Sequence, residues 1–169
     1  MRSIAFASLL VLAACSEGAE EKKAEKAAPS EALASGQWET VAEVLQMNQE
    51  DEGAPAMKAD AGTKMTSSNC VPEGEGKRPP AAVLAGIENA TCEYQNLYMS
   101  RGRLNASMIC KRPGLSGNVM VSTEGTYTDK SFDLNSDVRT SLTTDGDIRF
   151  GAKVIGRHTG ACAAAAAAG

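Results

Sequence analysis

A chain of 169 residues with 43% hydrophobic and 22% charged side chains has the length of one domain and enough apolar mass to build its core. A formal charge of -4 and a mean hydropathy of -0.23 exclude a multi-pass membrane protein and the basic face that nucleic acid requires. Aromatic residues at 4% argue against a base- or sugar-stacking surface, and a single histidine excludes any site that needs two.

The chain opens on Arg2 followed by an apolar run containing Ile4, Phe6, Leu9, Leu10, Val11 and Leu12. A run of this length behind a basic start reads as an export signal, because a spanning helix needs about 20 residues. It ends in Leu12, Ala13, Ala14 and Cys15. That ending resembles the lipobox of bacterial lipoproteins, an aliphatic residue and two small ones before the cysteine that is acylated. The resemblance implies a signal peptide over 1–14, cleavage before Cys15, and a membrane anchor of acyl chains on Cys15. Ser16 stands where Asp would retain an enteric-type lipoprotein at the inner membrane, so the expected address is the periplasmic face of the outer membrane. Cleavage removes Arg2 and leaves a mildly acidic mature chain.

Residues 15–35 comprise the lipidated cysteine and an Ala-, Glu- and Lys-rich stretch with Leu33 as its one large apolar residue. Such a stretch cannot bury enough surface to offset its ordering entropy, and it reads as a flexible tether. Residues 36–162 form the predicted domain, and 163–169 a low-complexity tail. A strand is expected over 36–47, where Thr40, Val41 and Val44 are β-branched, and another over 63–71. Residues 72–80 hold three prolines and two glycines and read as a loop; residues 81–89 can make two turns of helix.

From about residue 92 to 159 the apolar residues recur at period two, the mark of antiparallel sheet with one buried face. Leu104, Ala106, Met108 and Cys110 form one stripe, with Tyr94 and Tyr98 before it across a turn at Ser100, Arg101 and Gly102. Val119, Val121, Thr123 and Tyr127 form the next. After a turn at Asp129 and Lys130 come Phe132, Leu134, Ser136, Val138, Thr140 and Leu142. Asp145 and Gly146 give a tight-turn signal before Ile148, Phe150, Ala152 and Val154. The predicted fold is all-β: a curved antiparallel meander or incomplete barrel of about seven strands with one short helix.

Four cysteines remain besides Cys15: Cys70, Cys92, Cys110 and Cys162. An even number in an exported chain suggests two disulfides in one of three connectivities. A turn centred on Arg101 places Cys92 opposite Cys110 across neighbouring strands, a distance that suits a disulfide and leaves Cys70 for Cys162. No Cys-x-x-Cys pair is present, which disfavours a zinc or thioredoxin-like role.

Gly36, Trp38 and Glu39, then Cys70 to Glu73, then the two hairpin cysteines, then Gly160 and Cys162, follow one another in an order that resembles a bacterial periplasmic family, domain of unknown function 3617. The resemblance covers about residues 35–162. It implies a secreted or lipid-anchored β-rich domain, and it carries no catalytic residues.

Tests for chemistry give bland answers. His158 continues an apolar stripe near a strand end and reads as a packed or rim histidine. Asp133, Asn135 and Asp137 imitate half an EF-hand loop, but Val138 replaces its glycine and Thr144 its bidentate glutamate. Gly114 to Asn118 lacks the last glycine of a nucleophile elbow, and Arg78, Pro79 and Pro80 after the Gly74 to Lys77 stretch forbid a phosphate loop. Trp38 reads as a core anchor. No catalytic residue, cofactor or metal site is therefore expected. The leading expectation is a lipid-anchored envelope protein that acts as a non-enzymatic binding or interaction module, with an unknown envelope protein or small ligand as partner. A carrier of a small apolar ligand in a β cavity, or an inhibitor of a wall-degrading enzyme, are the alternatives.

Overall fold

The computed structural model describes residues 29–57 and 59–162. The expected signal peptide, Cys15, most of the tether and the 163–169 tail lie outside the described residues. Seven strands, β1 (Gly36–Gln49), β2 (Lys64–Val71), β3 (Thr91–Ser100), β4 (Arg103–Lys111), β5 (Gly117–Tyr127), β6 (Ser131–Leu142) and β7 (Ile148–Gly160), form one sheet in the order β2-β1-β7-β6-β5-β4-β3. Every neighbouring pair is antiparallel. The sheet curls into a half-barrel, and its end strands β2 and β3 are not paired with each other. The one short helix among the described residues is α1 (Ala81–Ala85). The chain is all-β.

The curl follows from the alternation. Inward positions of β4 to β7 are buried and outward positions exposed, residue by residue. Trp38, Phe132, Phe150, Leu134, Ile148 and Val119 are all fully buried on the concave face. Trp38 stacks on Phe132 with ring centroids 5.6 Å apart, and Phe132 stands cross-strand from Gly156. A methyl group at Gly156 would overlap the Phe132 ring. The glycine therefore makes room for the aromatic pair at the centre of the core.

Helix α1 covers the remaining concave surface with Val83 and Leu84, followed by buried Ile87. It is shorter than the two turns expected over 81–89. Gly86 takes φ 64°, and a Cβ there would crowd Ala42 and Val154, so the chain turns out of the helix where only glycine fits.

Three connections depart from the expected ones. The β3–β4 hairpin turns on two residues, Arg101 at φ 49° and Gly102 at φ 74°, which sets Ser100 against Arg103. Carried on unbroken, that register would place Cys92 against Lys111. A bulge at Gln95 removes one residue from the count and brings Cys92 opposite Cys110. The same bulge splits the two tyrosines: Tyr94 turns inward, whereas Tyr98 points outward and is 58% exposed. Between β6 and β7 the chain makes a wider loop over 143–147 instead of a tight turn at Asp145 and Gly146. Asp147 there accepts from the Thr140 hydroxyl and the Leu142 N–H, and Gly146 bridges to Pro55. Finally, Leu33 is 3% exposed and its N–H donates to the Gly76 carbonyl, so the end of the expected tether is docked on the domain.

The four cysteines pair as the hairpin suggests, Cys92 with Cys110 and Cys70 with Cys162, at Cα separations of 4.0 and 5.4 Å. Because the second closes a sequence separation of 92 against 18 for the first, its removal costs more. Replacing Cys70 and Cys162 by Ser should lower unfolding free energy by about 4–5 kcal/mol, and the Cys92 and Cys110 pair by about 3 kcal/mol, in urea titrations. Substituting Gly156→Ala should cost about 1–3 kcal/mol by overpacking. That cost should shrink in a Phe132→Leu background, where the obstructing ring is gone; an unchanged cost in the double-mutant cycle would refute the contact.

Candidate functional site

The residues singled out by sequence serve the scaffold. His158 sits edge-on to Trp38 with centroids 5.8 Å apart, and its Nε2 lies 3.0 Å from the Ser35 carbonyl oxygen, which makes that nitrogen the donor. No hydroxyl or carboxylate is bonded to this ring among the described residues. Asp133 and Asp137 point outward from β6, where Lys153 pairs with the first and Arg149 with the second at 2.9 Å. Glu43 and Lys64 extend the same outer ladder of ion pairs. Such exposed pairs contribute little to stability. Residues 74–77 form a loop whose Gly76 carbonyl holds Leu33, and a Cβ on Gly76 would strike the Leu33 carbonyl.

Of the residues that carry the family resemblance, all but the hairpin cysteines Cys92 and Cys110 belong to the strand ends where β1, β2 and β7 meet. Gly36 pairs with Val71, and Gln37 pairs with both Cys70 and Gly160. Gly36 takes φ 131°, and a Cβ there would run into the His158 ring and the Gly160 carbonyl. Trp38 is buried just beyond, and Cys162 reaches back to Cys70. The motif is a structural clasp joining the start of β1 to the end of β7.

Two hollows lie on the outside of the sheet. One of about 420 Å³ is lined by Tyr98, Arg103, Asn105, Glu124, Thr126 and Asn135 on the convex face. A neighbouring one of about 330 Å³ lies over Ile109 and Met120. The concave side is occupied by packed side chains and α1.

The seam between β2 and β3 differs from both faces, because here the sheet stops. On the β3 side a hollow of about 590 Å³ runs past residues 74–81 and 92–94. Tyr94 is held there: its hydroxyl donates to the Pro79 carbonyl at 2.8 Å, and the Arg78 guanidinium lies 5.3 Å from its ring centre. Burial pushes the Tyr94 hydroxyl well above its ordinary pKa, an effect that nearby Arg78 only partly offsets. On the β2 side a cleft of about 280 Å³ is lined by Thr66, Ser67, Ser68 and Asn69 facing Ile87, Glu88, Asn89 and Ala90. No β1 residue lines it, so it lies at the free edge of β2 and not over the sheet.

Ser67 is the unusual member of this cleft. It is 8% exposed, and its hydroxyl finds no hydrogen-bond partner among the described residues. Its cross-strand partner Thr40 is more deeply buried but satisfied, donating to the Val83 carbonyl of α1 at 2.8 Å. Asn69, two residues along the same face, donates to the Ala82 carbonyl at 3.4 Å. Sequence reading missed Ser67, because a serine in a polar strand gives no sign of which neighbours will surround it.

Residues 33–162 match the family model described as protein of unknown function (DUF3617). No match was found among curated proteins or among solved structures.

The two hydroxyls should respond oppositely to removal. Thr40→Val strands the Val83 carbonyl and should cost about 1–2 kcal/mol, whereas Ser67→Ala removes an unsatisfied group and should stabilise by about 1 kcal/mol. Urea unfolding of the two variants measures both; destabilisation by Ser67→Ala would show that the hydroxyl is already satisfied in solution.

Proposed function

This chain belongs to the DUF3617 family, and from that premise we propose that it is a lipid-anchored cell-envelope protein whose domain is a non-enzymatic binding or interaction module. The observation that carries the reading is a β-rich half-barrel with a filled interior and an unclosed seam. A carrier needs an apolar cavity, typically of several hundred Å³, inside the sheet. Here that space holds Trp38, Phe132, Phe150 and Leu84, so ligands meet the outside or the seam. His158, the one imidazole, is engaged by a backbone carbonyl and by Trp38, so no imidazole stands beside a hydroxyl nucleophile among the described residues. Two disulfides suit an oxidising compartment, and the lipobox ending at Cys15 supplies the anchor.

Replacing Cys15 with Ser should move the protein from the membrane to the soluble fraction, and persistent membrane fractionation would count against acylation. Photo-crosslinkers placed at Thr66, Tyr98 and Met120 in intact cells should give a discrete protein adduct from at least one position. Absence of adducts at all three, together with a stoichiometric apolar ligand retained in native mass spectrometry, would overturn the module in favour of the carrier.

A further inference from the structure

We propose that the free edge of β2 accepts an extended peptide segment of a partner as an eighth strand, seated in the cleft against residues 87–90 and bonded to the Ser67 hydroxyl. This inference rests on the reading of the domain as a binding module and names where and what it binds.

The edge is open. Among the described residues β2 pairs only with β1, and no backbone hydrogen bond outside that ladder involves residues 65–70. Residues 87–90 face it across the cleft, but along its own length β2 lacks the devices that keep edges from pairing. Its register with β1 runs without a bulge from Gly36 and Val71 to Glu43 and Lys64, and residues 65–70 hold no proline and no charge. The other end strand is defended: β3 is bulged at Gln95, carries Glu93, and has Tyr94 tied to the Pro79 carbonyl beside its edge. Of the two edges, β2 is the one built to receive a strand.

The cleft beside it fixes the occupant's chemistry. Its lining is hydroxyls and amides, from Thr66, Ser67, Ser68, Asn69 and Asn89, with no aromatic ring for a sugar to stack on and with Ile87 only 2% exposed. That pattern suits the main chain of an extended peptide, with hydrogen-bonding groups repeating at strand spacing. Ser67, buried and without a partner, is where one of its polar groups is received. Glu88 is the one charged side chain in the lining and is in no ion pair among the described residues, which favours a segment carrying a basic residue. With residues 87–90 as its far wall, the cleft offers one face of β2, from Thr66 to Asn69, to a single extended segment.

The test uses the purified full chain and a pool of capped synthetic hexapeptides with Thr at every second position and random residues between, at millimolar concentration. Main-chain pairing is tolerant of sequence, so such a pool contains competent members. Amide hydrogen exchange at residues 65–70 should slow at least tenfold, the same pool N-methylated on alternate backbone nitrogens should have no effect, and Ser67→Ala should weaken binding about three- to tenfold. Enrichment of Lys or Arg in the peptides retained by the domain, lost in Glu88→Gln, is the further expected result. Protection confined to β3 or to the Tyr98 and Met120 hollows, or equal binding of the N-methylated pool, overturns the β2 assignment while the module reading stands. No protection anywhere also overturns it, and the module reading is then judged by crosslinking in cells.

Discussion

Seven strands curl far enough to bring their apolar faces together but not far enough to pair β2 with β3, so something other than sheet must cover the concave side. That task falls to α1 and the residues just after it. Val83, Leu84 and Ile87 are each at most 2% exposed, and full burial of side chains of this kind contributes about 1.5–3 kcal/mol apiece. The helix is therefore a plug, and its backbone is bound into the sheet through Thr40, whose hydroxyl takes the Val83 carbonyl that the last turn leaves over. Gly86 ends it in a left-handed turn where a Cβ would crowd Ala42 and Val154.

The ends of the chain are secured by the same logic. β1 lies between β2 and β7, so the first and last strands of the domain are neighbours although they are far apart in sequence. Long-range pairing of this kind carries a loop-closure cost. The Cys70–Cys162 bridge, the fit of Gly36 against His158, and the Trp38 ring between Phe132 and His158 all act at that junction. The family motif coincides with this clasp except for Cys92 and Cys110, which tie β3 to β4 instead.

Much of this architecture was legible in the chain because period-two alternation is local. Phe132 to Thr140 and Ile148 to Val154 announce their buried faces without reference to anything distant. What alternation cannot carry is a change of register. The bulge at Gln95 leaves no mark in the sequence, yet it decides that Tyr94 and Tyr98 face opposite ways and that Cys92 meets Cys110 and not Lys111. Leu33 looked like one apolar residue in a tether because its pocket is made by the loop around Gly76, forty residues on. The wide 143–147 loop likewise depends on Asp51, which accepts from the Asp147 N–H and belongs to a segment far upstream. Cys15 belongs to a different kind of reading, since its motif is recognised by processing machinery and not by packing.

The seam is where the two demands on this fold meet. A closed barrel would leave no edge to pair, and a filled interior leaves no cavity to occupy; the present sheet has the second property without the first. Two buried hydroxyls, those of Ser67 and Tyr127, find no partner among the described residues, and Ser67 sits one strand-width from Thr40, whose hydroxyl is bonded. Retaining a buried hydroxyl with no partner costs stability that alanine would recover, and rules of packing are most often broken where binding requires it. The β3 side of the same seam shows the alternative treatment: a bulge, a tyrosine anchored across to Pro79 and a cation over its ring. The contrast between a defended edge and an open one, within a single seam, is what directs the functional question to β2.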